Sequence, residues 1–161
     1  MGIGATATRE TMLVTQVGGL LCALPIGHVV ETMRPLPIEP IAAIGPELPF
    51  VSGVAVVRGA AIPVVDVAQL LEQRAGTQAR FVIMRTSAAG SDARIALWVD
   101  SVIDVRSFEH VAIADLPPLL QGANRDMVSA IGTLDRALLV VLNAGRVVPP
   151  EAWQAIRRSD R

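Results

Sequence analysis

A mainly β fold of two small, pseudo-symmetric barrels, each of about five strands, is what this sequence predicts, on three observations. Val, Ile and Leu gather in runs of four to seven residues bounded by Gly, Pro, Asn and Asp, the pattern of short strands. Stretches at helical spacing are few and short. The two halves of the chain also look duplicated. At an offset of 77, Val51, Ser52, Ala60 and Val64 fall on Val128, Ser129, Ala137 and Val141; at 73, Ala23, Leu24 and Val29 fall on Ala96, Leu97 and Val102, and Glu31 falls on Asp104. Each copy is a strand-rich unit of about 70 residues, and a short barrel suits such a unit because it closes its own edges. The groove between two packed barrels is the first place to seek a site.

In chain order, a loose start to about residue 11 leads into runs at 12–17 and 20–24, which form a hairpin about Gly18 and Gly19, since Gly adopts the positive φ that two-residue turns need. A short apolar run covers 29–33. The segment that follows holds Pro35, Pro37, Pro40, Pro46 and Pro49, which suits a surface loop and not a central strand. Runs at 51–57 and 60–65 form a second hairpin about Arg58 and Gly59. Asp66 then caps a short helix, with Gln69 three residues on completing a capping box. In the second half, 80–85 and 95–99 pair around a polar loop at 87–94, and 102–105 follows. A loop with Pro117 and Pro118 leads to a hairpin of 127–134 with 138–142. Pro149 and Pro150 precede a short amphipathic helix carrying Ala152, Trp153 and Ile156, with Arg157 and Arg158 in its last turn. The expected organisation is a loose 1–11, a unit at 12–148 with halves near 12–75 and 80–148, and a helix and tail at 149–161.

Composition excludes several function classes. The 161 residues include 14 Arg and no Lys against 15 acids, for a net charge of −1, and 3% aromatic residues, neither the basic excess nor the aromatic platforms of a nucleic-acid binder. One cysteine, Cys22, gives no intramolecular disulfide, so the cytoplasm is the default compartment. The uncharged stretch 11–30 contains Gln16, a Gly pair, Pro25 and His28, which breaks it into strand-length pieces and argues against membrane insertion. Met1, Gly2 and Thr6 fit the loose myristoylation pattern, which is too short to carry weight.

The search for chemistry finds little. His28 and His110 are far apart and Cys22 stands alone in an alternating strand, so no metal ligand set or activated thiol is expected, and no cofactor motif is present. Asp100-Ser101 is the best enzyme candidate, since two barrels can each offer a carboxylate to one cleft. Its duplicated partner, however, is Gly27, which offers none. Asp66 and Asn143 match across the repeat, but their place before a helical turn makes capping the simpler role. The chain reads as non-catalytic. Arg58 is the odd charge: it interrupts an otherwise aliphatic hairpin, and its counterpart is Asp135, of opposite sign.

The stretch from Gly53 through Arg58-Gly59 and Ile62-Pro63 to Asp66 closely resembles the central motif of the CheW-like family, the adaptors of bacterial chemosensory arrays. Val29-Val30-Glu31 with Arg34, Val99-Asp100-Ser101-Val102 with Asp104-Val105, and Ile131-Gly132 through Leu142-Asn143 are similar to three further blocks of that family. The chain departs from it at Val56, where Asn is usual, at Ala130, where Gly is usual, and at Trp98, where a small aliphatic is usual.

The resemblance implies two intertwined five-stranded SH3-like barrels and a non-catalytic scaffold that bridges the cytoplasmic tip of chemoreceptors to the regulatory domain of a CheA-type histidine kinase, in arrays at the inner face of the membrane. It places Val29, Gly53 and Arg58 toward the receptor and Glu31 toward the kinase. A divergent regulator of another chemosensory kinase, for example in twitching motility, is the alternative, and a cleft hydrolase using Asp100 or Asp66 the more distant one.

Overall fold

Short aliphatic strands, most of them buried almost throughout their length, assemble into a pair of sheets. The computed structural model describes residues 9–42, 44, 48–86, 93–109, 111–112, 127–134, 137–143, 147–148 and 150–159. The first residues with the myristoylation pattern, most of the polar loop at 87–94, His110, Pro117, Pro118 and Asp135 lie outside these.

Eleven strands are described: β1 Arg9–Val17, β2 Leu20–Pro25, β3 Val29–Met33, β4 Val51–Val57, β5 Ala60–Asp66, β6 Arg80–Arg85, β7 Arg94–Val99, β8 Ser101–Glu109, β9 Val111–Ala112, β10 Val128–Leu134 and β11 Ala137–Leu142. A 3-10 turn, Ile26–His28, separates β2 from β3. Two helices are described, α1 Val67–Leu70 and α2 Pro150–Ser159. None is long and apolar enough to cross a membrane.

The predicted hairpins form, and their turns show why. Gly18 takes φ 55°, and at the second turn both Arg58 (51°) and Gly59 (82°) are left-handed, as a two-residue type I′ turn requires. Asp66 caps α1, its side chain accepting the Gln69 amide at 3.2 Å.

The strands sort into a six-stranded sheet, β8-β1-β2-β11-β10-β9, and a five-stranded sheet, β3-β6-β7-β5-β4. The first has six strands and not five because the two residues of β9 add to β10. Most pairs are antiparallel neighbours in sequence, but β2 lies parallel to β11 and β5 parallel to β7. The first hairpin of the chain is thereby built into the sheet made of its last strands.

Pro63 sits inside β5, which has neighbours on both sides. It is tolerated because the parallel ladder with β7 begins at the next residue, Val64. On the other side, the Val54 opposite it turns its amide and carbonyl to Glu39, at 2.9 and 2.8 Å.

Three apolar clusters hold the layers. The largest joins both sheets, with Leu13, Val17 and Leu24 from one, Val82, Met84 and Leu97 from the other, and Trp153 and Ile156 of α2 packed against them. Met12, Val14, Leu21, Ala23, Leu139 and Val141 form a second cluster on the opposite face of the first sheet. A third gathers Ala55, Val57, Ile62, Val64, Phe81, Ile83 and Ala96 inside the curl of the second, with Val30, Met33, Leu36, Ile38 and Trp98 against it. The described strands do not close into barrels, and the proline-rich segment packs Leu36 and Ile38 against the apolar face of the second sheet as well as running along the surface.

Candidate functional site

Arg58 stands at the tip of the β4–β5 hairpin in a backbone conformation that a non-glycine residue adopts at a cost of about 1–3 kcal/mol. Its side chain is 71% exposed and reaches Glu31 of β3, whose side chain is 24% exposed. Arg58 Nε donates to Glu31 Oε2 at 2.8 Å and a terminal nitrogen to Oε1 at 3.1 Å, a two-pronged pair in which each nitrogen of the guanidinium fork has its own oxygen. Because β3 and β4 are at opposite ends of the strand order, this pair marks how far the five-stranded sheet curls on itself.

The Arg58 hydrogen bond holds the Glu31 carboxyl below its usual range, opposed by desolvation and aided by the charges of Arg58 and Arg94. Arg58 is raised in return, chiefly by the same hydrogen bond. The site is thus an ion pair at a hairpin tip, with the Arg58 end exposed and the Glu31 end half-buried. Next to it on β4, Val56 is 61% exposed, a large apolar side chain open to solvent. At the site's other end, Val29 on β3 is half-buried and packs against the shared core.

Gly53 lies farther along β4, at φ 144°, where a Cβ would run into the Glu39 carbonyl and touch Ile38. The close backbone approach that Gly53 permits is therefore made by the chain's own proline-rich segment. Sequence reasoning assigned Glu31 and Arg58 to separate surfaces; the structure brings them together. The cue in the sequence is their opposite charge, each preceded by a pair of valines, but nothing linear tells that side chains from the two ends of one sheet reach each other.

The two carboxylates considered for catalysis have structural work. Asp100, 7% exposed, accepts the amides of Gly18 at 2.9 Å, Gly76 at 3.1 Å and Gln78 at 3.1 Å. Its backbone carbonyl takes Ala79 N and Thr77 Oγ1, and its amide donates to Gln16. It fastens the first hairpin and the segment before β6 to the point where the chain leaves one sheet for the other. Asp66 takes Gln78 Nε2 at 2.9 Å in addition to its cap. Both carboxylates are thus engaged by the chain's own donors, Asp100 through both oxygens and Asp66 through Oδ1. Burial pushes the Cys22 thiol up to about 12, partly offset by a hydrogen bond with Thr15, so it is un-ionised at neutral pH.

The unusual Trp98 is seated by two contacts. Its Nε1 donates to the Gln78 carbonyl at 2.7 Å, and its ring meets Phe81 edge-on with centroids 6.1 Å apart.

Comparison with protein families matches the CheW-like domain over residues 11–151. Among solved structures, the chain is similar to the scaffolding protein TtCheW from Thermoanaerobacter tengcongensis, with a TM-score of 0.70 at 20% identity, over 90% of this chain and 96% of that one. No match was found among curated proteins.

Proposed function

From the chain's membership of the CheW-like family, a family of chemotaxis scaffolds, we propose that it couples the cytoplasmic tip of chemoreceptors to the regulatory domain of a CheA-type histidine kinase, without catalysis of its own and in the cytoplasm at receptor arrays. The unit that does so is 12–148, with 149–161 as an appended helix and tail. The observation that carries the reading is the exposed Arg58–Glu31 pair beside Val56 on the strand bearing the family motif. A receptor hairpin would lay apolar helix faces against Val29 and Val56 and offer a carboxylate to the Arg58 fork. Gly53 would serve by letting the proline-rich segment seat against β4, and Glu31 would meet the kinase.

The test is co-sedimentation of the purified chain with receptor signalling fragments and kinase. Arg58→Glu sets two carboxylates together at the tip and is expected to abolish receptor binding while leaving the melting temperature nearly unchanged. Glu31→Gln is expected to weaken the kinase contact and keep Arg58 available to the receptor. Retention of receptor binding by Arg58→Glu would remove Arg58 from the site. Exposed Val56, where the family usually has Asn, favours one further reading, a regulator of a different chemosensory kinase. A pull-down from native cytosol with wild type and Arg58→Glu names the partner.

A further inference from the structure

β8 is the longest strand at a sheet edge, and among the described residues β1 is its one ladder partner. The other edges are short or covered: β9 has two residues, β4 is bridged by Glu39 at Val54, and the tip of β4 is tied to β3 by the Arg58–Glu31 pair. On β8, Ile103 and Val105 are each 51% exposed, and neither Lys nor Pro blunts the strand. Such an edge is a template for another strand unless something occupies it.

Asp104 occupies it locally. The Val105 amide donates to Asp104 Oδ1 at 2.8 Å, and Arg106 Nε donates to Asp104 Oδ2 at 3.2 Å. A strand amide held by a side chain is not held across the ladder, so Val105 N–H lies on the side of β8 away from β1. The order Asp104-Val105-Arg106 is also self-complementary. Ile103 is bulged out of the ladder with β1, but in an antiparallel pairing of two such strands centred on Val105, each Asp104 stands opposite an Arg106 and Val105 stands opposite itself. Opposed residues share a face, so both ion pairs form together on one side of the ribbon and the Val105 contact on the other.

We propose that this edge is a homodimer interface in which β8 pairs with β8 of a second copy about a two-fold axis at Val105. Each Val105 amide passes from its own Asp104 to the Val105 carbonyl opposite, and each Asp104 exchanges its local Arg106 for that of the other copy. The contact is isologous, as closed two-fold assembly requires. It is separate from the Arg58 tip and does not depend on the receptor-coupling reading.

Sedimentation equilibrium of the full chain tests it, over ~10–500 μM, where a small interface associates. The wild type is expected to dimerise with increasing concentration. Asp104→Arg, which sets guanidinium against guanidinium, is expected to weaken dimerisation at least ~10-fold. The double variant Asp104→Arg/Arg106→Asp is expected to restore it. Mild oxidation of Val105→Cys is expected to give a disulfide-linked dimer, since opposed Cα atoms in such a pair lie ~5.5 Å apart. Buried Cys22 does not compete, and Val56→Cys serves as the exposed control. Melting curves verify that each variant folds. A wild type monomeric throughout the range would overturn the proposal, as would a dimer indifferent to Asp104→Arg or a Val105→Cys crosslink no faster than the control.

Discussion

Asp100 carries more of the architecture than any other polar side chain described, because one carboxylate satisfies three amides from two segments far apart in the chain. Asp100→Asn replaces one of the two acceptor oxygens with a donor facing a backbone N–H, and is expected to cost about 1–3 kcal/mol, read as a lower denaturant midpoint with an unchanged slope. Glu31 gives a prediction in pH. Its folded pKa is depressed, so the pairing with Arg58 is fully present above the ordinary value of 4.5 and is lost as the pH falls through the lower folded value. A carboxyl NMR titration should place the Glu31 midpoint below 4.5 and return it toward 4.5 in Arg58→Ala. At this scale the sequence marked Arg58, Asp66 and Asp100 as unusual but could not tell a site from a fastening. The amides that fill Asp100 come from Gly18, Gly76 and Gln78, which share no motif.

The hairpins and the α1 cap were legible because each is decided within a few residues: a turn that needs positive φ, a short aliphatic run on either side of it, a capping box. Asp66→Ala is expected to cost about 1 kcal/mol through the lost cap, measurable by thermal melting. The parallel pairs β2–β11 and β5–β7 were not legible, since nothing local selects a partner so distant in sequence. The C-terminal helix was expected and is present, with Trp153 buried against the shared core. Trp153 Nε1 has no hydrogen-bond partner among the described residues. Trp153→Phe deletes that unsatisfied donor and keeps an aromatic ring, so the melting temperature is expected to hold or rise. Trp153→Ala, which leaves a cavity, is expected to cost about 3–5 kcal/mol.

In the whole molecule, the largest core cluster belongs to neither sheet alone, and the segment 12–75 contributes strands to both. Unfolding is therefore expected as a single calorimetric transition. Fragments 1–75 and 80–161 are expected to be unfolded separately and to regain β structure by circular dichroism when mixed. The sequence shows a likeness of halves, and a likeness of halves does not say which strands sit side by side.

The parallel pairing of β2 with β11 has a consequence for biosynthesis. Leu21 waits for Leu139, so a ribosome adding residues at about 5–20 per second leaves the first hairpin without its neighbour for on the order of 5–20 s. During that interval Leu20–Pro25, almost wholly apolar, is a nascent ribbon with an unclaimed edge. Newly made chains should thus be clients of whatever holds such ribbons apart, and crowding on one messenger should be the condition under which this protein aggregates first.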